Sequence, residues 1–489
     1  MKKMIVKLLA GALICCAPDL GKTAFATSPD ALPLPVCETD AFANLSDIKR
    51  CVWSDTRTKL ILIPGPEGTS NRPPLLYLLG GPGGRADVHV QHMQLLANRL
   101  GRAVLLPDAA DSFPTLDCRR TDLDDAQWGI GRKAEDAVFY TRDLQERRLS
   151  SCLEQVKLSP ELIHDVSTNS QALRLQELRT FFDLPSWVVM AESYGSRVAL
   201  ALAKLDGDHI DRLILDSPET PWVEKFWHTG QNFQEALTRL SELCRDEYLC
   251  PALRLHMDER LPAQIALFER DMVEPLALRD LYSREIVAYA RPTREQLLIT
   301  AFMAMRSPER MELMPYIAAS NNDETLKKRY GLLLSQLLRP GGSLNVGFHH
   351  VIRCAELPLE RWYKALEEDR VSLPNIAPFV EYLEWRQKFV CSNLEIPSPA
   401  AFEKPRLTSV PTFVLSGGLD PVTPHDVVAA AFGGTVRHQT YGPLGHIIHS
   451  QRDCVLTDIT QFVRDGSLDG TSCSKKELEL KFYTPVRKR

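Results

Sequence analysis

Short, unbroken apolar runs punctuate the chain up to about residue 216 and resume near residue 412. They are Leu75–Leu79, Ala103–Leu106, Trp187–Met190, Leu213–Leu215 and Thr412–Leu415. Runs of this length, without polar alternation, read as strands covered on both faces. Segments of helical spacing lie between them. In Thr168 to Phe182, residues Leu173, Leu178, Phe181 and Phe182 fall on one helical face, with Ser167 or Thr168 as the cap. Strands alternating with helices predict a mostly parallel α/β sheet.

The pattern changes after Asp216-Ser217-Pro218. From Trp222 to Lys404 strand patterns nearly vanish, and helical segments follow one another: Gln231–Cys244, Pro262–Met272, Thr293–Met305, Glu324–Leu338 and Phe379–Cys391. Pro397, Pro399 and Pro405 mark the return to the sheet. The expected organisation is a core of residues 27–220, a helical cap inserted over 221–404, and the remainder of the core over 405–489. There is no internal repeat and no low-complexity tract.

Composition narrows the class. The 489 residues carry 25% charged and 44% hydrophobic positions and a net charge of −5, which is ordinary for a globular protein. Nothing in that balance favours nucleic acid or an anionic membrane as a partner. The N-terminus differs. Lys2, Lys3 and Lys7 flank an apolar run from Met4 to Cys16, and Ala24-Phe25-Ala26 follows. The run is too short to span a bilayer, so residues 1–26 read as a cleaved export signal, and the mature chain is expected to have no membrane span. A lipoprotein anchor at Cys15 or Cys16 is the weaker reading, since neither follows Gly, Ala or Ser. The destination is the periplasm or the exterior.

The cysteines agree with export. Of twelve, removing Cys15 and Cys16 leaves ten, an even number suited to an oxidising compartment. They fall into neighbours Cys37/Cys51, Cys118/Cys152, Cys244/Cys250, Cys354/Cys391 and Cys454/Cys473, and bridges are expected in that order. The close Cys/His clusters of a zinc site are missing, so neither metal nor cofactor is expected.

The chemistry centres on Ser186-Trp187-Val188-Val189-Met190-Ala191-Glu192-Ser193-Tyr194-Gly195. An apolar strand enters this turn and a helix leaves it, which lifts the Ser193 hydroxyl above the sheet as a nucleophile elbow. An acid and a base follow in the required chain order. Asp420 lies on the loop after Thr412–Leu415, where doubly wound sheets place their active groups. His446 lies on the Gly-rich loop Tyr441-Gly442-Pro443-Leu444-Gly445-His446. Singly, such an Asp is a turn residue and such a His a surface residue. Together, in the order Ser–Asp–His, they point to one site. His446 would take the serine proton and pass it to the leaving group, and Asp420 would fix the imidazole. The oxyanion would be met by the backbone N–H of Tyr194 and by the turn Gly80-Gly81-Pro82-Gly83-Gly84, with Gly81 favoured over Gly80. A rival reading takes Gly81 to Ala86 as a dinucleotide turn with Asp108 on the ribose. It requires a helix directly after the glycines and leaves Ser193, Asp420 and His446 without a role.

These segments resemble a known family. Leu79-Gly80-Gly81-Pro82-Gly83 is similar to the H-G-G-P-G turn of proline iminopeptidases and exported tripeptidyl aminopeptidases, and Glu192-Ser193-Tyr194-Gly195 to their elbow. Asp420 with Thr423-Pro424, Gly445-His446, and Cys354-Ala355-Glu356 resemble the acid, base and cap segments. The resemblance runs from about residue 50 to 475. It implies an α/β-hydrolase fold with a helical lid, release of residues from peptide N-termini through an acyl-enzyme, and a cap carboxylate for the substrate α-amine, for which Glu356 is the candidate. The chain departs from the family at Leu79, in place of His, and at Ala191, in place of Gly. It departs further at Asp108-Ala109-Ala110-Asp111-Ser112-Phe113, where the usual Arg and Gly are missing, which leaves substrate choice open. The substrate is thus a peptide or small acyl compound. Two other functions share the residues: a carboxylesterase for small esters, and a catalytically silent binding protein on the same fold. Oligomeric state is not legible.

Overall fold

The computed structural model describes residues 36–39, 48–52, 58–69, 71–117, 130–137, 141–245, 275–279, 285–312, 314, 344–399, 403–405, 410–434, 436–468 and 470–482. The expected export segment and the helices expected over 262–272 and 324–338 lie outside these residues. In chain order the strands are β1 (Val36–Thr39), β2 (Lys49–Val52), β3 (Lys59–Ile63), β4 (Leu75–Leu78), β5 (Val104–Pro107), β6 (Ile130–Gly131), β7 (Trp187–Glu192), β8 (Ile210–Asp216), β9 (Leu276–Arg279), β10 (Ile286–Ala290), β11 (Thr412–Gly417) and β12 (Arg437–Tyr441). The longer helices are α1 (Val90–Leu100), α2 (Arg142–Leu153), α3 (Thr168–Phe181), α4 (Gly195–Asp206), α5 (Thr229–Arg245), α6 (Arg294–Ala304), α7 (Val346–Glu356), α8 (Leu359–Ser372), α9 (Ala377–Leu394), α10 (His425–Phe432) and α11 (Asp453–Asp465).

Nine strands form the main sheet in the order β1-β2-β3-β5-β4-β7-β8-β11-β12. From β5 to β12 every neighbouring pair is parallel, and β1 to β3 add an antiparallel margin. This is an α/β-hydrolase fold, a mostly parallel sheet flanked by helices. The central strands are apolar throughout because both faces are covered. Leu76, Val189 and Leu213 meet α3 and α4 on one face. Leu75, Val188 and Ile214 meet α1 and α11 on the other. Each fully buried side chain of this kind contributes about 1.5–3 kcal/mol. Ser167 is the residue that caps α3, its hydroxyl accepting from the Ser170 N–H at 3.2 Å.

Within residues 221–404, Phe233 and Leu237 of α5, Leu297 of α6 and Phe379 of α9 pack together, in a cluster that also takes in Leu144, Leu419 and Leu480. The block is not purely helical. β9 and β10 pair there, and β6 joins them from the preceding segment. β10 is itself an unbroken apolar run, Ile286-Val287-Ala288-Tyr289-Ala290, with Ile286 and Val287 exposed, so a helical reading of this block is incomplete there. Disulfides join Cys37–Cys51, Cys354–Cys391 and Cys454–Cys473. Cys152 and Cys244 are also disulfide-bonded; their expected partners, Cys118 and Cys250, lie outside the described residues. No helix among the described residues is long and apolar enough to cross a membrane.

The start of α7 reaches down onto the Gly-rich turn after β4. Asn345 N–H donates to the Gly83 carbonyl at 2.8 Å, and Leu344 bridges Gly84. Gly347 lies so close that a Cβ there would sit 2.1 Å from the Leu116 carbonyl oxygen. The Gly347→Ala variant is therefore expected to lose about 2–3 kcal/mol of stability through overpacking, read as a lowered midpoint of urea unfolding. An unchanged midpoint would show that the contact yields freely.

Candidate active site

β7 ends at Glu192, α4 begins at Gly195, and Ser193 makes the turn between them with φ of +48°. A side-chain-bearing residue in this region costs about 1–3 kcal/mol and persists only where its surroundings hold it. Here the Ser193 N–H donates to the Asp216 carbonyl at 3.0 Å and its own carbonyl accepts from Ser196 N–H at 3.1 Å. Gly195 has no room for a side chain, since a Cβ would lie 2.4 Å from the Leu78 carbonyl oxygen. The elbow is thus pressed against the end of β4, and Ser193 is brought beside the Gly-rich turn that follows that strand.

The three expected residues converge. His446 Nε2 lies 3.0 Å from Ser193 Oγ, and His446 Nδ1 lies 2.8 Å from Asp420 Oδ2. All are buried: Ser193 is 6% exposed, His446 4% and Asp420 0%. Asp420 is held as an acceptor. Oδ1 takes the N–H groups of Val422 and Thr423 at 2.8 and 3.1 Å, and Oδ2 takes the Thr423 hydroxyl at 2.7 Å. Those bonds leave the His446 Nδ1 proton facing Asp420 and the Nε2 lone pair facing the serine. The turn after α6 braces the base directly. His446 N–H donates to the Arg306 carbonyl at 3.0 Å, and Gln451 Nε2 binds the carbonyls of Arg306 and His446 at 3.0 and 2.8 Å.

The oxyanion candidates separate here. Tyr194 directly follows the nucleophile at the N-terminus of α4. Gly81 occupies φ of +123°, a region that favours glycine, with Leu344 closing over it. The Gly80 N–H is occupied, donating to Glu192 Oε1 at 3.1 Å. Of the two turn glycines, Gly81 is therefore the one whose amide is not committed to Glu192.

Glu356, the candidate for the substrate amine, is hydrogen-bonded within the protein. Its Oε1 accepts from Thr168 N–H at 2.6 Å, and its Oε2 accepts from the Thr168 hydroxyl and the Arg197 guanidinium, each at 2.6 Å. It lines a cavity with Asn169, Lys204 and Trp222 to which Ser193 contributes nothing. A buried guanidinium beside a helix start draws a carboxylate strongly, so Glu356 latches α7 to α3 and α4. The dinucleotide rival finds no support. Asp108 turns back to accept the Asp111 N–H at 2.9 Å, and burial pushes its carboxyl up to about 6. After the Gly-rich turn a single 3-10 turn at Asp87–His89 comes first, and the α-helix starts at Val90. Among the described residues no cluster of His, Cys, Asp or Glu could hold a metal ion.

Two contributors were not apparent from the sequence. Thr423 orients Asp420 and reaches the Ser217 carbonyl at 3.1 Å; in the sequence it stands only as a neighbour of Asp420. Arg306 supports His446 through its backbone, which no side-chain pattern signals.

Residues 377–473, the stretch carrying Asp420 and His446, match the family described as TAP-like protein. The chain is similar to the TAP-like proteins there. The match agrees with the resemblance to proline iminopeptidases and tripeptidyl aminopeptidases read from the sequence. Solved structures similar to the chain include a proline iminopeptidase from Mycobacterium smegmatis, at 14% identity over 88% of this chain and 98% of that one, with a TM-score of 0.34. Epoxide hydrolase A from Mycobacterium thermoresistibile stands at 14% identity, 89% and 100% coverage and a TM-score of 0.34. An α/β-hydrolase fold protein from Burkholderia ambifaria stands at 14%, 88% and 100%, and 0.32. Scores of this size add nothing to the fold already read from the strand order. No curated protein matches the chain.

Proposed function

We propose that the chain is an exported serine hydrolase that works through an acyl-enzyme, with Ser193 as nucleophile, His446 as base and then acid, and Asp420 as the group that orients it. One observation carries the reading: the unbroken line of contacts from Ser193 Oγ through His446 to Asp420, at 3.0 and 2.8 Å. The serine hydroxyl loses its proton to Nε2 as Oγ attacks an acyl carbon. The imidazolium is stabilised by Asp420 and gives the proton to the departing amine or alcohol. Water repeats the cycle on the acyl-serine. Tyr194 N–H and Gly81 N–H are the proposed donors to the oxyanion. In this reading residues 27–220 and 405–489 form the core and 221–404 the cap.

Within that chemistry the proposed activity is an aminopeptidase of the proline iminopeptidase or tripeptidyl type. Its support is the TAP-like match over 377–473. A carboxylesterase for small esters is the second reading, and the observation favouring it is that Glu356 is spent on Thr168 and Arg197. Aminoacyl and tripeptidyl arylamides compared with their N-blocked analogues separate the two. An aminopeptidase is expected to prefer the free amine by about 100-fold or more in kcat/KM, because a site built to bind an ammonium leaves its carboxylate unpaired with a blocked substrate. Equal rates would leave the esterase. Folded protein whose Ser193 is not labelled by a fluorophosphonate would be a binding protein. Export is supported by the disulfides and by the N-terminal pattern, and the N-terminus of the mature protein would test it.

A further inference from the structure

A second histidine–carboxylate pair lies buried behind the nucleophile. His449 Nδ1 is 2.7 Å from Asp216 Oδ2, and both side chains are at most 1% exposed. Asp216 also accepts the N–H groups of Ile448 and His449, at 3.0 and 2.9 Å, and the Ser217 hydroxyl at 2.9 Å. It is therefore an acceptor throughout, which fixes one His449 proton on Nδ1 and leaves Nε2 facing the Tyr77 hydroxyl at 3.1 Å, where the Nε2–H of the charged imidazole is the donor. Tyr77 spends its one proton on Glu192 Oε2 at 2.6 Å. The other oxygen of Glu192 holds the Gly80 N–H. A continuous path thus runs from Asp216 through His449, Tyr77 and Glu192 to the turn that precedes Gly81.

We propose that Glu192 is a positioning residue for the oxyanion turn, and that the Asp216–His449 pair, acting through Tyr77, holds it in place and offsets its charge. The inference rests on the serine-hydrolase reading and goes beyond its three residues. A carboxylate one residue from the nucleophile would oppose an oxyanion forming nearby, since charges in a buried site are weakly screened. Two donors on Glu192 and an imidazolium beyond Tyr77 offset that charge. Holding Gly80 also withdraws its amide from the site and sets the backbone from which Gly81 projects.

The groups facing His449 are Asp216 on β8, Tyr77 on β4, Glu192 on β7 and His92 on α1, whose Nε2 is 3.1 Å from His449 Nε2. Burial alone would lower the His449 pKa, but the hydrogen bond and charge of Asp216 prevail and raise it. Burial, with the charges of His449 and His89, pushes His92 down to about 4, so His92 is neutral at pH 7. A raised histidine keeps its charge below its pKa and loses it as pH rises through that value.

The test measures kcat and KM on p-nitrophenyl acetate for Glu192→Gln, Tyr77→Phe and His449→Gln, beside the wild type and Ser193→Ala. Each of the three is expected to lose about 10- to 100-fold in kcat with KM within about twofold, less than outright removal of an oxyanion donor. The Glu192→Gln/Tyr77→Phe double variant should lose no more than the larger single change. Wild-type kcat should fall on the alkaline side as His449 is neutralised, and that limb should be absent in His449→Gln. Tyr77→Phe keeps the ring and its packing, so it reports even where the others fail to fold. Full kcat in Tyr77→Phe and Glu192→Gln, or additive losses with an unchanged alkaline limb, would overturn the proposal while leaving Ser193 in its role. A wild type that neither turns over the ester nor reacts with a fluorophosphonate would instead remove the serine-hydrolase reading itself.

Discussion

Ser193→Ala is expected to lower kcat by about 10⁶-fold while the protein stays folded and continues to bind substrate. The size follows from chemistry. His446 lies 3.0 Å from a single hydroxyl, and without that oxygen no acyl-enzyme can form. The remaining site can only place a water less well, supported by whatever the oxyanion donors contribute. Removing one buried oxygen from a residue that is 6% exposed leaves the elbow's backbone bonds in place, so unfolding midpoints should hold. The measurement is kcat on an activated ester together with loss of fluorophosphonate labelling. A variant within tenfold of the wild type would mean that another group is the nucleophile.

Asp420→Asn is expected to cost about 10⁴-fold in kcat with little change in KM. The amide is nearly the same shape, but it presents hydrogens where Asp420 presents only lone pairs. One side of that carboxylate accepts from His446 Nδ1 at 2.8 Å and from the Thr423 hydroxyl at 2.7 Å, and the other from the N–H groups of Val422 and Thr423. The two backbone donors demand the amide oxygen, which turns the –NH₂ toward His446. The imidazole must then carry its proton on Nε2, facing Ser193, where it cannot act as a base. Retention of kcat in this variant would show that Asp420 is only a turn residue. The loss should be smaller than that of Ser193→Ala, since a mis-set base still leaves the hydroxyl in place.

Much of this is legible in the sequence. Trp187–Met190 and Thr412–Leu415 announce themselves because a central parallel strand is apolar on both faces, and β7 and β11 contain these runs. β12 gave no such signal. Its Arg437-His438-Gln439-Thr440-Tyr441 sits at the edge of the sheet and is largely half-exposed, so its side chains need not be apolar. β10 differs: it is the middle strand of the small sheet and an apolar run, Ile286–Ala290, so its strand character is written in the sequence although its surroundings are helical. Glu356 shows the opposite limit. The motif around it was visible, but whether its carboxylate was free depended on Arg197 and Thr168, far away in the chain.

By itself the sequence determined what is local: strand and helix periods, the strand–turn–helix at Ser193, and the loops that carry Asp420 and His446. These follow from backbone sterics and from which faces must leave water. The tertiary structure alone decided how polar groups distant in sequence satisfy one another. It set Glu192 on Gly80 and Tyr77, Asp216 on His449, and Arg306 on the backbone of His446. A buried donor or acceptor must find a partner wherever the fold brings one within reach, and no spacing along the chain encodes which partner that will be.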